Sequence, residues 1–345
     1  MAEASSAPAS TRAGDEPLLR AVDLTRHFRL GGMLSKHLLH AVDDFNLTIN
    51  EREIVALVGE SGSGKSTVAR LLARIYKPTK GEIFYRGRPL HRLRSRKDLL
   101  WYRGEVAIVL QDPFSAFHPV FRVSHGMMRN LALHRPDLDR TDRQREAERV
   151  CEVVGLSPKM LSRFPYEMSG GERQRIGFAQ ALALRPKLIL ADEPVSMLDT
   201  SIRAGVLNMM AGLRDHEGVS LLYITHDLAS ARYVADRIIV MYAGHLVEEG
   251  PTETVLSDPK HPYTQLLLSA VGDPREKETE MSADTGEPPR VIDPGQGCRF
   301  RWRCPYAIEQ CSEVTPRPSP IGAAQVACHV AVAEAERAST RASVS

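Results

Sequence analysis

A glycine-rich motif in the first third of the chain, Gly59-Glu60-Ser61-Gly62-Ser63-Gly64-Lys65-Ser66-Thr67, separates two contrasting hydrophobic patterns. Residues 54–58 before it (IVALV) form a short apolar, β-branched run, which is typical of a buried parallel strand. Residues 68–74 after it (VARLLAR) have the apolar spacing of a helix. A strand that passes through the pattern G-x-x-x-x-G-K-[ST] into a helix predicts a phosphate-binding loop at residues 59–67.

The residue types in this loop suit a nucleoside triphosphate. Glycines let the backbone curl around phosphates, and the free N–H groups and dipole of a helix N-terminus attract anions. Lys65 would reach the β- and γ-phosphates, and the hydroxyl of Ser66 would bind Mg²⁺. The alternative is a Gly–Ser loop that only turns the chain, but nine fitting residues with the expected flanks favour the phosphate site.

The composition limits the class of protein. The chain has 345 residues and is 43% hydrophobic, which is enough for one large core and a smaller unit. Its net charge of +2 does not suggest a nucleic-acid partner. No apolar run approaches the ~18 residues of a membrane helix, and the N-terminus has no signal region. Any role at a membrane is therefore expected on the cytosolic side, where the five cysteines would be reduced.

Several further strand patterns alternate with helical ones. Residues 106–110, 188–191 and 220–224 are buried-strand candidates, and residues 201–215 read as a crossover helix. Strands alternating with helices predict an α/β fold with a mainly parallel sheet. Residues 18–28 and 41–49 are expected to form additional strands. The basic run within residues 81–103 is typical of a solvated face, or alternatively of contact with anionic lipid or an acidic partner.

Composition shifts along the chain predict its organisation. Residues 112–168 are polar and helical with proline breaks, which indicates an inserted helical subdomain. The predicted parts are a disordered tail at 1–16, a nucleotide-binding domain at 17–272, a linker at 273–297, a cysteine-bearing extension at 298–332 and a second tail at 333–345. We expect the linker to separate the extension from the phosphate loop.

Two more segments carry candidate chemistry. Asp192 and Glu193 follow the strand pattern at residues 188–191, where an aspartate can orient Mg²⁺. Side chains alternate along a strand, so Glu193 would point elsewhere and could polarise an attacking water, unless both residues are ordinary turn acids. Ser169, with two glycines after it, precedes a helical run and could cradle a second anion or act only as an N-cap.

Four cysteines gather near the C-terminus. Cys298, Cys304, Cys311 and Cys328 are separated by five, six and sixteen residues. Four thiolates can close a tetrahedral metal site. The spacing fits neither a zinc ribbon nor a ferredoxin, so zinc, an iron–sulfur cluster and no metal all remain open, and His329 could replace one ligand. Cys151 is isolated in a helical stretch and is expected to pack in the core.

Taken together, these motifs resemble those of the ATP-binding subunit of ATP-binding-cassette (ABC) transporters, over about residues 17–330. In chain order they are GESGSGKST at 59–67, Gln111, MSGGERQR at 168–175, LILADEP at 188–194, SMLD at 196–199 and ITHD at 224–227. The resemblance implies a P-loop ABC ATPase fold with an inserted helical subdomain. Glu172 and Met197 depart from the Gln and Ala that many members have at these positions, and neither change removes a catalytic group.

The resemblance also implies site roles. Glu193 would be the catalytic base, His226 would contact the γ-phosphate and Lys65 would assist catalysis. Phe28 would stack on adenine, with His40 a weaker candidate. The implied nucleotide-binding residues are Phe28, Gly59, Glu60, Ser61, Gly62, Ser63, Gly64, Lys65, Ser66, Thr67, Gln111, Ser169, Gly170, Gly171 and Glu172, and the implied Mg²⁺ residues are Ser66, Gln111 and Asp192. Of these, Ser169, Gly170 and Gly171 would act on the nucleotide of a facing subunit, and Asp199 would lie at the dimer interface.

Three segments are similar to the ATPases of peptide, nickel and opine importers: IVLQDPFSAFHP at 108–119, HPYT at 261–264 and GCRFRWRCP at 297–305. This similarity implies ATP and Mg²⁺ as cofactors and favours a 4Fe-4S cluster on Cys298, Cys304, Cys311 and Cys328. It implies a second, similar ATPase as partner, two transmembrane permeases and, indirectly, an extracytoplasmic solute-binding protein. The chain would then act peripherally at the cytoplasmic face of the plasma membrane.

The rival interpretation is a soluble ABC ATPase of DNA repair or translation. Those chains usually carry two cassettes or a long coiled coil between the phosphate loop and the SGG segment. This sequence has one cassette and no heptads between these motifs. The sequence leaves the solute open, with dipeptides, oligopeptides, opines, nickel and oligosaccharides all compatible.

Overall fold

The computed structural model describes residues 16–31, 36–112, 118–269 and 291–342. Its strands are β1 Leu19–Arg29, β2 Leu38–Ile49, β3 Ile54–Val58, β4 Lys80–Tyr85, β5 Arg88–Pro89, β6 Val106–Val109, β7 Leu188–Asp192, β8 Ser220–Thr225, β9 Arg237–Tyr242, β10 His245–Pro251, β11 Ser319–Ile321 and β12 Ala324–Val326. Its α-helices are α1 Lys65–Leu72, α2 Arg96–Glu105, α3 Val123–His134, α4 Arg140–Val153, α5 Gly170–Leu182, α6 Thr200–Asp215, α7 Leu228–Val234, α8 Thr252–Ser257, α9 Pro262–Ser269, α10 Gln310–Glu313 and α11 His329–Ala342.

The larger sheet has eight strands in the order β11-β12-β10-β9-β3-β8-β7-β6. The five strands from β9 to β6 pair in parallel, and β10 adds an antiparallel edge against β9. All residues of β3, β7 and β8 are buried, because helices cover both faces of a parallel sheet and leave no solvent side. The apolar runs at 54–58, 188–191 and 220–224 thus form the predicted α/β core.

The smaller sheet is antiparallel, with the order β2-β1-β4-β5. Its apolar side chains share one core with helix α1, including Leu24 and Phe45 from the sheet and Val68 and Leu71 from the helix. This packing buries the face of α1 that carries the apolar spacing seen in the sequence. The predicted strands at residues 18–28 and 41–49 are β1 and β2.

The region predicted as a helical subdomain contains α3 and α4. Residues 113–117 of that region lie outside the described residues. The N-cap Asp139 begins α4 by accepting a hydrogen bond from the Asp142 amide at 2.8 Å. Met127 of α3 and Val150 of α4 are fully buried in the same core as Phe178 of α5. The basic run at 81–103 also contains helix α2, which the sequence did not predict; Ser95 caps it.

The C-terminal segment joins the larger sheet. Glu248 of β10 pairs with Val326 of β12, and β12 pairs with β11. Most of the predicted linker, residues 270–290, lies outside the described residues. Helix α11 occupies most of the stretch from residue 333 that the sequence marked as a tail. Among the described helices, none has the length and hydrophobicity to cross a membrane.

Candidate nucleotide-binding site

The predicted phosphate loop connects β3 to α1. Gly59 and Gly64 have φ values of +154° and +106°, which disfavour side chains. A Cβ atom on Gly59 would lie 2.1 Å from the Met241 carbonyl oxygen, and one on Gly64 would lie 2.2 Å from the Ala41 carbonyl oxygen. Both glycines are therefore required by close backbone approach, and they hold the loop against β9 and β2.

Lys65 is buried inside this loop. Its Nζ donates to the carbonyl oxygens of Gly59 at 2.7 Å and Glu60 at 2.8 Å. Burial lowers the pKa of Lys65 to about 8, while the negative charges of Glu193, Asp192 and Glu60 act in the opposite direction. The ammonium group thus binds backbone acceptors inside the loop, and nearby carboxylates favour its charged form.

The oxygen atoms of Ser66 and Asp192 come together although they are far apart in sequence. Ser66 Oγ donates to Asp192 Oδ1 at 2.9 Å. Burial raises the pKa of Asp192, while the hydrogen bond from Ser66 lowers it. Mg²⁺ prefers hard oxygen ligands and is usually held by one or two protein groups plus phosphate oxygens. The residues at this position therefore fit the ion.

A second group of side chains surrounds Glu193. Its Oε2 accepts a hydrogen bond from Gln111 Nε2 at 2.9 Å, and its Oε1 lies 3.4 Å from His226 Nδ1. Gln111 follows β6, Glu193 follows β7 and His226 follows β8, so parallel pairing brings all three to one sheet edge. Glu193 has a φ of +45°, an uncommon backbone conformation for a residue with a side chain.

Phe28 lies away from these contacts. Its half-buried ring packs edge-on against Tyr76 with centroids 5.3 Å apart, and the Arg26 guanidinium lies 4.5 Å from its centroid. The weaker candidate, His40, lies at 2.8 Å from Asp43 through its Nδ1 and stacks on His27. Neither ring contacts the phosphate loop through these interactions, and the adenine position stays a prediction.

The SGG segment starts helix α5, with Ser169 and Gly170 facing solvent and Gly171 buried. Ser169 is the N-cap, and its Oγ accepts from the Glu172 amide at 3.3 Å while Glu172 Oε2 accepts from the Ser169 amide at 2.8 Å. The hydrogen bonds that the Glu172 carboxylate accepts from the Ser169 amide and hydroxyl lower its pKa. A Cβ on Gly171 would lie 2.4 Å from Ile202 Cγ2, so glycine is needed for packing there. Ser169 and Gly170 are exposed, and so is Asp199.

The four C-terminal cysteines are not tightly clustered. No three of their sulfur atoms lie within 4.8 Å of one another, whereas a tetrahedral zinc site with 2.3 Å Zn–S bonds would place them about 3.8 Å apart. Burial raises the pKa of the Cys298 thiol to about 11, with smaller contributions from the other three thiols. His329 Nε2 lies 2.9 Å from the Val314 carbonyl oxygen. This arrangement does not fit a zinc tetrahedron.

Two contacts between distant parts of the chain were not predicted from the sequence. Tyr263 OH accepts a hydrogen bond from the Glu60 amide at 2.9 Å. Arg303, from the cysteine-bearing extension, binds both carboxylate oxygens of Glu60 at 2.8 and 2.9 Å. The expectation that a linker separates the extension from the phosphate loop is therefore wrong. One feature of the sequence could have pointed to such a contact, namely the three arginines within residues 299–303.

Comparison with known proteins connects this geometry to a family. Residues 42–196 match the family model of ABC transporters. A candidate oligopeptide transport ATP-binding protein of Bacillus subtilis is 41% identical over 318 residues, which cover 91% of this chain and 95% of that protein. The chain belongs to the ABC transporter family of ATP-binding proteins. As a member of this family it is an ATPase.

Further matches agree with this assignment. Residues 247–311 match the C-terminal region of oligopeptide and dipeptide transporters. A candidate peptide ABC transporter ATP-binding protein of Sinorhizobium fredii is 41% identical over 323 residues, covering 91% of this ABC ATPase and 90% of the relative. The dimeric ATP-binding cassette MJ0796, solved with ADP and phosphate after hydrolysis, matches with a TM-score of 0.61 and 26% identity, covering 68% of this chain and 98% of its own.

Proposed function

We propose that this chain is the ATP-hydrolysing subunit of an ABC importer for dipeptides, oligopeptides or related solutes. The observation that carries the proposal is the convergence of Ser66 with Asp192, and of Gln111 and His226 with Glu193, at the carboxyl edge of one parallel sheet. The match of residues 247–311 to the oligopeptide and dipeptide transporter C-terminal region supports the solute class. The names of the relatives support it as well.

In the proposed reaction, each group at this edge has one task. The backbone of residues 59–67 cradles the phosphates, and Lys65 turns from the loop carbonyls toward the β- and γ-phosphates. Ser66 and Asp192, with Gln111, would hold Mg²⁺, which would supply positive charge against the phosphates when bound. Glu193 takes a proton from the attacking water, and His226 contacts the γ-phosphate. Phe28 supplies the surface for adenine.

A facing dimer completes the site. Ser169 and Gly170 are exposed, and among the described residues Ser169 forms its hydrogen bonds within its own helix start. Their outer face is thus available to an anion held by another chain. We propose that a second, similar ATPase supplies this nucleotide and that this chain's own nucleotide meets the partner's SGG segment. ATP would bind the closed dimer more tightly than the open one, and hydrolysis would release it.

The proposed membrane partners are two permeases, with an extracytoplasmic solute-binding protein acting on them. The helices α3 and α4 form the proposed docking region, because exposed apolar side chains lie at its start. Val120 is 68% exposed and Phe121 is 46% exposed. The chain would then be peripheral at the cytoplasmic face of the plasma membrane. A soluble ABC ATPase of DNA repair or translation is not favoured by the comparisons with peptide transport proteins.

We also propose a 4Fe-4S cluster on Cys298, Cys304, Cys311 and Cys328. A four-iron cluster spaces its thiolates more widely than one zinc ion does, and the extension brings two of the cysteines together, with the Cys298 amide donating to the Cys311 carbonyl oxygen at 2.8 Å. Anaerobic purification with iron and sulfide analysis tests this. Roughly equal iron and sulfide that disappear in Cys304→Ser support the cluster, and a metal-free tail refutes it.

Co-expression with the candidate permeases tests the transport function. The importer proposal predicts that this ATPase co-purifies with two multi-span membrane proteins and that vesicles containing the assembly take up peptide only with ATP. Lys65→Ala is the matched control, because it leaves the docking helices unchanged. Full activity of the chain without any membrane partner, together with no peptide uptake by the assembly, would contradict the proposal.

A further inference from the structure

The phosphate loop is held by groups from the C-terminal part of the chain. Glu60 is the second residue of the loop, and three of its groups are engaged. Its amide donates to Tyr263 OH, its carbonyl oxygen accepts from Lys65 Nζ, and its carboxylate binds Arg303 through two hydrogen bonds. Two parallel bonds between a guanidinium and a carboxylate fix both orientation and distance.

The Arg303 contact is well shielded from water. The Arg303 side chain is 10% exposed and the Glu60 side chain is 25% exposed. The hydrogen bond with Glu60 raises the pKa of Arg303 against the effect of burial, so this side chain stays cationic. A partly buried pair of this geometry is worth more than a surface ion pair, which solvent screens.

Aromatic packing fixes the segment that carries Arg303. Phe300 is 1% exposed, and its ring centroid lies 5.2 Å from that of Tyr242 and 5.5 Å from that of Tyr263. Tyr263 is the same residue that receives the Glu60 amide. Residues 299–303 therefore contact the phosphate loop in two ways. Phe300 packs on Tyr263, whose hydroxyl binds the Glu60 amide, and Arg303 forms an ion pair with the Glu60 carboxylate.

The charge of Glu60 explains why the loop needs this arginine. A carboxylate in the phosphate loop lies beside the position of a highly negative triphosphate, and like charges repel strongly where water is scarce. Arg303 pairs with this carboxylate through two hydrogen bonds and compensates its charge. We propose that Arg303 is a positioning residue for the phosphate loop, through which the cysteine-bearing extension sets the affinity for ATP.

This inference rests on the proposed function of residues 59–67 as the ATP site. The experiment measures the ATP dissociation constant by calorimetry on the full-length chain for wild type, Arg303→Ala, Glu60→Gln and the double variant. Arg303→Ala is expected to weaken ATP binding about tenfold, the size typical of one charge-assisted contact. The double variant is expected to recover to within about threefold of wild type, because no uncompensated carboxylate remains.

Three further variants make the result decisive. Arg301→Ala is the matched control, since Arg301 lies in the same segment but donates to the Cys298 carbonyl oxygen instead of Glu60; its affinity should stay within about twofold of wild type. Arg303→Lys keeps the charge but cannot form the two parallel hydrogen bonds, so its ATP affinity should be intermediate between those of Arg303→Ala and wild type. This variant also tests the proposal if Arg303→Ala does not fold. Lys65→Ala should lose ATP affinity whether or not Arg303 is also replaced.

Four outcomes overturn the proposal. Unchanged ATP affinity in Arg303→Ala removes any role for this residue at the loop. A loss in Arg303→Ala that Glu60→Gln does not recover, or an equal loss in Arg301→Ala, assigns the effect to general packing of the tail. If Lys65→Ala and wild type bind ATP equally, the assignment of residues 59–67 as the ATP site fails, and this inference fails with it.

Discussion

Replacement of Glu193 by glutamine tests the assignment of the catalytic base. The amide keeps the size of the side chain and one acceptor oxygen for Gln111 Nε2, which lies 2.9 Å from Glu193 Oε2. It removes basicity, and a positioned general base contributes about 10²- to 10⁴-fold to rate. At about 1.4 kcal/mol for each factor of ten, the barrier should rise by about 3–5 kcal/mol.

Binding of ATP should survive the same change. The Glu193 carboxylate acts on Lys65 through its charge only, and its loss removes a negative group near the phosphates. The expected result is at least about a hundredfold slower steady-state phosphate release by the assembled transporter, with ATP affinity equal to or tighter than wild type. The control is Glu253→Gln, a carboxylate that is 70% exposed and pairs with Arg232 at the surface. A Glu193→Gln rate above about a tenth of wild type would refute the base assignment.

The remaining predictions concern the phosphate contacts, the dimer and the stability of the fold. Lys65→Ala should weaken ATP binding itself, because it removes the buried cation among the loop carbonyls; unchanged affinity in calorimetry would contradict this. Ser169→Arg should prevent closure of the ATPase pair in cross-linking or size-exclusion experiments while ATP still binds at this chain's own loop, and loss of that binding would exclude the facing-dimer arrangement. Burial opposes ionisation of Glu146, but hydrogen bonds from Arg185 and Arg149 lower its pKa to about 2. Its contribution to stability is thus present above the unfolded value near 4.5 and is lost as pH falls toward about 2, and Glu146→Gln should reduce the free energy of unfolding at pH 7 by about 2 kcal/mol in urea titrations. Equal stability of variant and wild type at pH 7 would show that the ion pairs contribute nothing.

Local patterns in the sequence predicted the loop and the acidic residues that would carry the chemistry of the candidate site. The β-branched run before Gly59 and the helical spacing after Lys65 fixed the loop between β3 and α1, because buried strands and amphipathic helices have distinct periods. The acids after residues 188–191 could be placed at the loop's side of the sheet because parallel strands end at one edge. These inferences depend only on neighbours in sequence.

Other features were decided by contacts between segments that are far apart. Helix α2 lies in a basic run, and its few packed apolar residues are too sparse among the charged ones to show a helical period. Strands β11 and β12 have three residues each, which is too short to show the alternation of a strand. The four cysteines gather in one stretch of the sequence, but the distances between their sulfur atoms depend on how the whole extension folds.

The contact between Arg303 and Glu60 is the strongest example, since the two lie 243 positions apart in the chain. An arginine beside a cysteine and a glutamate in a phosphate loop each have many possible partners, and no periodicity pairs them. The packing of Phe300 against Tyr242 and Tyr263 positions the segment that carries this guanidinium. The sequence by itself predicted the phosphate loop and its chemistry, whereas tertiary packing decided which distant charge pairs with Glu60 of that loop, because burial and distance are properties of the folded chain alone.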